Sequence, residues 1–167
     1  ALSYLKKKHF KDRFFHIGPP RDFDLFIDFK ERKADNILNS EYLLCTGLYD
    51  EHSKDLNFYE KLLANSISKI MICTNPDLIV DRGENREYCA GSIALLFEKL
   101  GGKVIYFGKP HPEVYKQSII NKGKKIIAIG DNLKTDIKGA NNMNYNSLFI
   151  THGIHKNEIQ KEGIKKI

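Results

Sequence analysis

Ile126-Ile127-Ala128-Ile129-Gly130-Asp131-Asn132-Leu133-Lys134-Thr135-Asp136 is an apolar run that ends in two carboxylates five residues apart. Short and rich in β-branched residues, the run reads as a buried strand. In open α/β sheets ligands bind beyond the carboxyl ends of the strands, so Asp131 is delivered to the place where chemistry usually sits. Asp136 falls in the first turn of the helix expected next and points back toward the same spot. Two hard oxygen ligands converging on one crevice suit Mg²⁺. A plainer reading stands beside it: Asp131 starts a turn, and Asp136 is an acid at a helix N-terminus, where acids are favoured anyway.

Strands and helices alternate outward from this stretch. A strand over 104–107 leads to Gly108-Lys109-Pro110, and a helix over 112–121 starts at Pro112 and stops before Gly123. The strand over 125–129 carries Asp131. A helix over 135–143 follows, with Asn144 as a left-handed cap, and a strand over 147–151 completes a βαβαβ unit. That pattern implies a parallel sheet with right-handed crossovers. Upstream, helices are expected over 1–12, 22–32, 53–65 and 86–100, the last closed by Gly101-Gly102. Strands are expected over 14–17, 41–46 and 69–73, and residues 33–104 read as a smaller α/β unit.

Composition narrows the classes. At 167 residues, 41% of them hydrophobic, the chain can bury a real core. No apolar run is long enough to span a bilayer, and no signal-peptide pattern opens the sequence, so the expected setting is cytoplasmic without a membrane. Cys45, Cys73 and Cys89 are odd in number, scattered and without a CxxC, which reads as free thiols in a reducing compartment. The net charge of +6 comes mostly from lysine, in clusters such as Lys6-Lys7-Lys8 and the group Lys122, Lys124 and Lys125. Neither cluster interleaves aromatics or arginine forks, so solvated faces are expected and no nucleic acid is a partner.

Lys109, after one strand, shares the expected carboxyl edge with Asp131, where it can neutralise a phosphate. A P-loop is excluded: Gly102 and Gly108 enclose five residues rather than four, and Pro110 stands where a Ser or Thr would hold Mg²⁺. A lysine ending one strand and Gly130-Asp131-Asn132-Leu133-Lys134-Thr135-Asp136 ending the next resemble motifs III and IV of the haloacid dehalogenase (HAD) superfamily. Cys73-Thr74-Asn75-Pro76-Asp77, Ala90-Gly91-Ser92, Gly108-Lys109-Pro110 and Thr151-His152-Gly153 narrow the resemblance to the type IIA, NagD-like branch of phosphatases. Gly47-Leu48-Tyr49-Asp50-Glu51 and Phe58-Tyr59-Glu60-Lys61-Leu62 also fit that branch's cap.

The resemblance implies an α/β fold: a HAD-type, Rossmann-like parallel sheet core, here partial, with an inserted α/β type IIA cap. Residues 1–32 and 105–167 would belong to the core and 33–104 to the cap. It implies a Mg²⁺-dependent phosphatase acting on a small phosphorylated metabolite through an aspartyl-phosphate intermediate, with an aspartate general acid. Carried over, Lys109 stabilises the nucleophile and the phosphoryl group, Asp131 coordinates Mg²⁺ directly, and Asp136 supports it through water or through Lys109. Asn75, Asp77 and Asn132 are candidate substrate contacts, with turn chemistry around Pro76 as the other account of the first two. A homodimer through the cap would suit the family.

The sequence departs from the family at its start. The nucleophile and general acid of the family lie in an Asp-x-Asp-Gly motif after a hydrophobic strand. Asp22-Phe23-Asp24-Leu25 follows Pro19-Pro20-Arg21 instead, and Leu25 stands where the turn needs Gly or Thr, so these acids read as a helix start. The second motif is missing too. The expectation is a C-terminal piece of a longer enzyme, inactive by itself; the alternative is a non-catalytic, degenerate binding module. His52, His111, His152 and His155 show no metal-ligand spacing and read as loop residues, with His152 at a strand's carboxyl edge.

Overall fold

The computed structural model describes residues 1–83, 85–119 and 123–163. They form two compact units, Ala1–Phe107 and Gly108–Ile167.

The first unit is built on a parallel sheet of β1 (Phe14–Ile17), β2 (Tyr42–Cys45), β3 (Ile70–Cys73) and β6 (Lys103–Tyr106), in that order. Registers run Phe14↔Tyr42, Tyr42↔Ile70 and Ile70↔Lys103. Parallel sheets need cover on both faces, and every residue of β2 is accordingly buried. On one face Leu43, Cys45, Met71 and Cys73 meet Tyr59 and Leu63 of α2 (Leu56–Leu63) and Ile93, Ala94 and Phe97 of α3 (Ala90–Lys99). On the other, Phe14, Leu44 and Ile72 meet Leu5 of α1 (Leu2–Lys8) and Phe23, Phe26 and Phe29. Each such large apolar side chain contributes roughly 1.5–3 kcal/mol on burial.

Three elements differ from expectation. The α-helix over 22–32 is a 3-10 segment, Pro20–Arg32, with a kink at Phe26. The phenylalanines recur every third residue, which matches three residues per turn and lays all three rings on the sheet. The helix over 86–100 begins only at Ala90; before it, β4 (Ile79–Arg82) and β5 (Asn85–Tyr88) form an antiparallel hairpin turned at Gly83, φ +62°. Arg86, opposite Asp81, binds both its carboxylate oxygens at 2.8 and 3.0 Å. Finally, the strand over 104–107 leaves the expected βαβαβ unit, because it is in register with β3.

The second unit holds α4 (Pro112–Ser118), β7 (Ile127–Gly130), a π-helical turn (Leu133–Ile137), α5 (Lys138–Asn142), β8 (Asn146–Phe149) and α6 (Lys156–Glu162). β7 and β8 pair in parallel, Ile127↔Asn146 through Gly130↔Phe149. Asn144 is left-handed, φ 54°, as its side chain allows. The run that reads as a buried strand leaves Ile127 58% and Ile129 63% exposed, since among the described residues β7 has one partner strand and cover on one face only. The end of the 112–121 helix and Lys122 lie outside the described residues. Among the described residues no helix is long and apolar enough to cross a membrane.

Candidate functional site

The acidic loop is shaped by its own backbone. β7 ends at Gly130, and Asn132 opens the π-helical turn: its Oδ1 accepts from Lys134 N (2.9 Å), and its carbonyl accepts from Asp136 N (2.9 Å) and Ile137 N (3.2 Å). The wider turn brings Asp136 round to face back toward β7. A Cβ at Gly130 would overlap Asp136 Cβ, Cγ and Oδ2, so only glycine lets the carboxylate in. Asp136 is 9% exposed, and both its oxygens are engaged. Oδ1 pairs with Lys109 Nζ at 2.5 Å and Oδ2 accepts from Asn132 N at 3.2 Å. A buried carboxylate needs such partners.

Asp131 is held from the other side. Its Oδ2 accepts from Ile154 N (3.0 Å), in the turn after β8, and a Cβ at Gly153 would overlap Asp131 Cβ, Cγ and Oδ2. Leu133 N in turn donates to His155 Nε2 (3.3 Å), and His155 Nδ1 lies 2.6 Å from Glu158 Oε2. On the far side of Asp136, α4 presents Tyr115. Its buried hydroxyl makes no hydrogen bond among the described residues and abuts Gly139. Burial raises the Tyr115 hydroxyl above its usual range, with Lys109 opposing and Asp136 adding.

The structure thus brings Lys109, Asp131, Asn132 and Asp136 into one unit. Asp131 Oδ1 takes no hydrogen bond among the described residues, which suits a hard divalent cation. Among the described residues no group of three or more His, Cys, Asp or Glu side chains could hold a metal ion, so these two acids are at most part of a ligand set. Asn75 and Asp77 lie in the other unit. Asn75 Oδ1 accepts from Asp77 N (3.1 Å), the turn chemistry expected around Pro76, and Asp77 O accepts from Gly91 N (3.1 Å) to dock the start of α3. Asn75 also lines a cavity of about 370 Å³ with Thr46, Asp50 and Arg21.

Two histidines have contacts that the sequence does not announce. His155 is a turn residue, as read, and is largely buried against the acidic loop across a 22-residue separation. His16 is buried, bonded through Nε2 to Thr46 Oγ1 (2.8 Å), and burial, then Lys33, lowers its pKa to about 4. His152 is exposed beside Thr151. Asp22 lies in the first turn of the 3-10 segment, as an acid at a helix start. Cys45 and Cys73 are buried register partners, and burial pushes the Cys73 thiol up to about 12.

Residues 106–166 match the family described as HAD-hydrolase-like. Comparison with curated proteins gives no match. Among solved structures, a haloacid dehalogenase-like family hydrolase from Brucella suis 1330 is 32% identical, with a TM-score of 0.77 over 86% of this chain and 59% of that one. The p-nitrophenyl phosphatase from Archaeoglobus fulgidus is 17% identical, with a TM-score of 0.68 over 99% and 64%. A double mutant of the thermostable NPPase from Geobacillus stearothermophilus is 23% identical, with a TM-score of 0.64 over 91% and 62%. The latter two share the fold. The chain spans about three fifths of the length of each of these structures.

Proposed function

We propose that this chain, whose residues 106–166 match the HAD-hydrolase-like family and which is 32% identical to a haloacid dehalogenase-like hydrolase over 86% of its length, belongs to that superfamily and supplies the lysine and acidic half of a Mg²⁺-dependent phosphomonoesterase site of the type IIA branch. The observation that carries this reading is the pair of Lys109 with the buried Asp136, formed across 26 intervening residues and beside Asp131. Phosphoryl transfer is catalysed chiefly by positioning and charge neutralisation, and these residues are suited to both.

Asp136 fixes Lys109, so the ammonium is oriented before a phosphate arrives and could then share its charge with the phosphoryl oxygens. Asp131 would hold Mg²⁺ through the oxygen that Ile154 does not engage, and Asp136 would support it through Lys109. The bound ion would neutralise and orient the phosphoryl group. The attacking carboxylate and the general acid are not among these residues and belong, in this reading, to the whole enzyme. The substrate would be a small phosphorylated metabolite, with residues 33–104 as the cap and Asn75 and Asp77 as its substrate contacts. A homodimer through that cap is part of the same reading.

The test is hydrolysis of p-nitrophenyl phosphate by the protein at the length of its relatives. Turnover should require Mg²⁺ and stop on chelation. Asp131→Asn should abolish it while circular dichroism stays unchanged. Unaltered activity in that variant would remove Asp131 from the site.

A further inference from the structure

The turn after β8 grips the acidic loop at two points, through Ile154 N on Asp131 Oδ2 and through His155 Nε2 on Leu133 N. The second contact fixes the chemistry of the ring. A backbone N–H only donates, so Nε2 must offer a lone pair and the single proton of the neutral ring must sit on Nδ1. Nδ1 then donates to Glu158 Oε2 at 2.6 Å, three residues on in the first turn of α6. The imidazole is only 13% exposed and lies 6.2 Å from the Phe149 ring, so it has little room to turn.

What this secures is the entrance to the π-helical turn. The first N–H groups of any helical turn lack partners within it. Here Asn132 Oδ1 takes that of Lys134 and His155 takes that of Leu133. Leu133 is two residues from Asp131, and Ile154 is the neighbour of His155. One turn therefore holds both the backbone of the loop and the carboxylate.

We propose that His155, locked as the Nδ1–H tautomer by Glu158, is the positioning residue of the Asp131–Leu133 loop. This rests on Asp131 being the metal-holding acid of the proposed phosphatase site. Partners that orient a metal ligand from outside the coordination shell are typically worth roughly 10–100-fold in metal affinity or activity.

The experiment compares His155→Gln, His155→Asn and His155→Ala in the full-length protein. A Gln amide oxygen reaches the place of Nε2 and can accept from Leu133 N, whereas Asn ends near the place of Nδ1. Mg²⁺ affinity and kcat/KM should fall roughly 10–100-fold in the Ala and Asn variants, and the Gln variant should recover most of the loss. Equal behaviour of Asn and Gln, or an unaffected Ala variant, overturns the proposal. Nitrogen-15 NMR of the His155 ring gives a readout independent of activity. Finding the proton on Nε2 also overturns it. An Nδ1–H ring whose loss shifts the Leu133 amide, in a protein without Mg²⁺-dependent turnover, would instead keep the positioning role and reject the phosphatase reading.

Discussion

Gly153→Ala should disable the acidic loop without touching any charged group. The added Cβ overlaps the Cβ of Asp131 as well as its carboxylate, so rotating the side chain gives no escape and one of the two loops must move. Overpacking of this kind costs about 1–3 kcal/mol. Movement also breaks the bond from Ile154 N, of the charged class worth about 1.5–3 kcal/mol. Relaxation exchanges one cost for the other, so about 3 kcal/mol is expected in total. At about 2–4 °C per kcal/mol for a chain of this size, the melting temperature should fall by about 6–12 °C. In the protein at the length of its relatives, turnover of p-nitrophenyl phosphate should drop at least about tenfold, as for loss of ligand support. Gly101→Ala is the control: at φ +95° a Cβ there is strained but meets nothing within 4 Å. It should lower the melting temperature and leave turnover intact. Wild-type turnover in Gly153→Ala, or equal losses of turnover in both variants, would refute the reasoning.

Lys109→Met and Asp136→Asn should each cut turnover, and their double-mutant cycle should show a coupling of about 1 kcal/mol or more; strict additivity would mean that the ion pair is not functional. Tyr115→Phe removes a buried hydroxyl that has no hydrogen-bond partner among the described residues, so it should leave the melting temperature unchanged or raise it, and a clear fall would reveal a partner. His16 is held neutral in the folded protein, with a pKa of about 4 against an ordinary 6.5. Between these values the unfolded chain binds the proton more tightly, so stability should fall as pH drops from about 6.5 to about 4, by about 3 kcal/mol at most. Urea melts of wild type and His16→Gln should differ in that slope; parallel profiles would place His16 in water.

Much of the first unit was readable because its physics is local. The run over 14–17 is a strand as expected, and the apolar runs ending at Cys45 and Cys73 form strands of a sheet covered on both faces. The 3-10 segment was misread because its phenylalanine spacing of three also fits part of an α-helical stripe. The hairpin at Gly83 escaped because Arg86–Tyr88 carries no alternation of apolar and polar residues. In the candidate site, Lys109, Asp131 and Asp136 stand in short motifs, and the structure places all three in one unit. That Asp136 reaches round a π-helical turn to Lys109, or that His155 caps Leu133, depends on tertiary geometry between residues more than twenty apart in both cases and on a rare turn type in the first.

The phenylalanine ladder of Pro20–Arg32 carries a consequence for how this segment can change in length. With three residues per turn on either side of the kink at Phe26, adding or deleting one residue swings the rings beyond it in that half by about 120° off the sheet. Adding or deleting three returns each ring to its row. Among homologous chains, length variation between Pro20 and Arg32 should therefore come in triplets, a counting rule written by the helix type rather than by any single side chain.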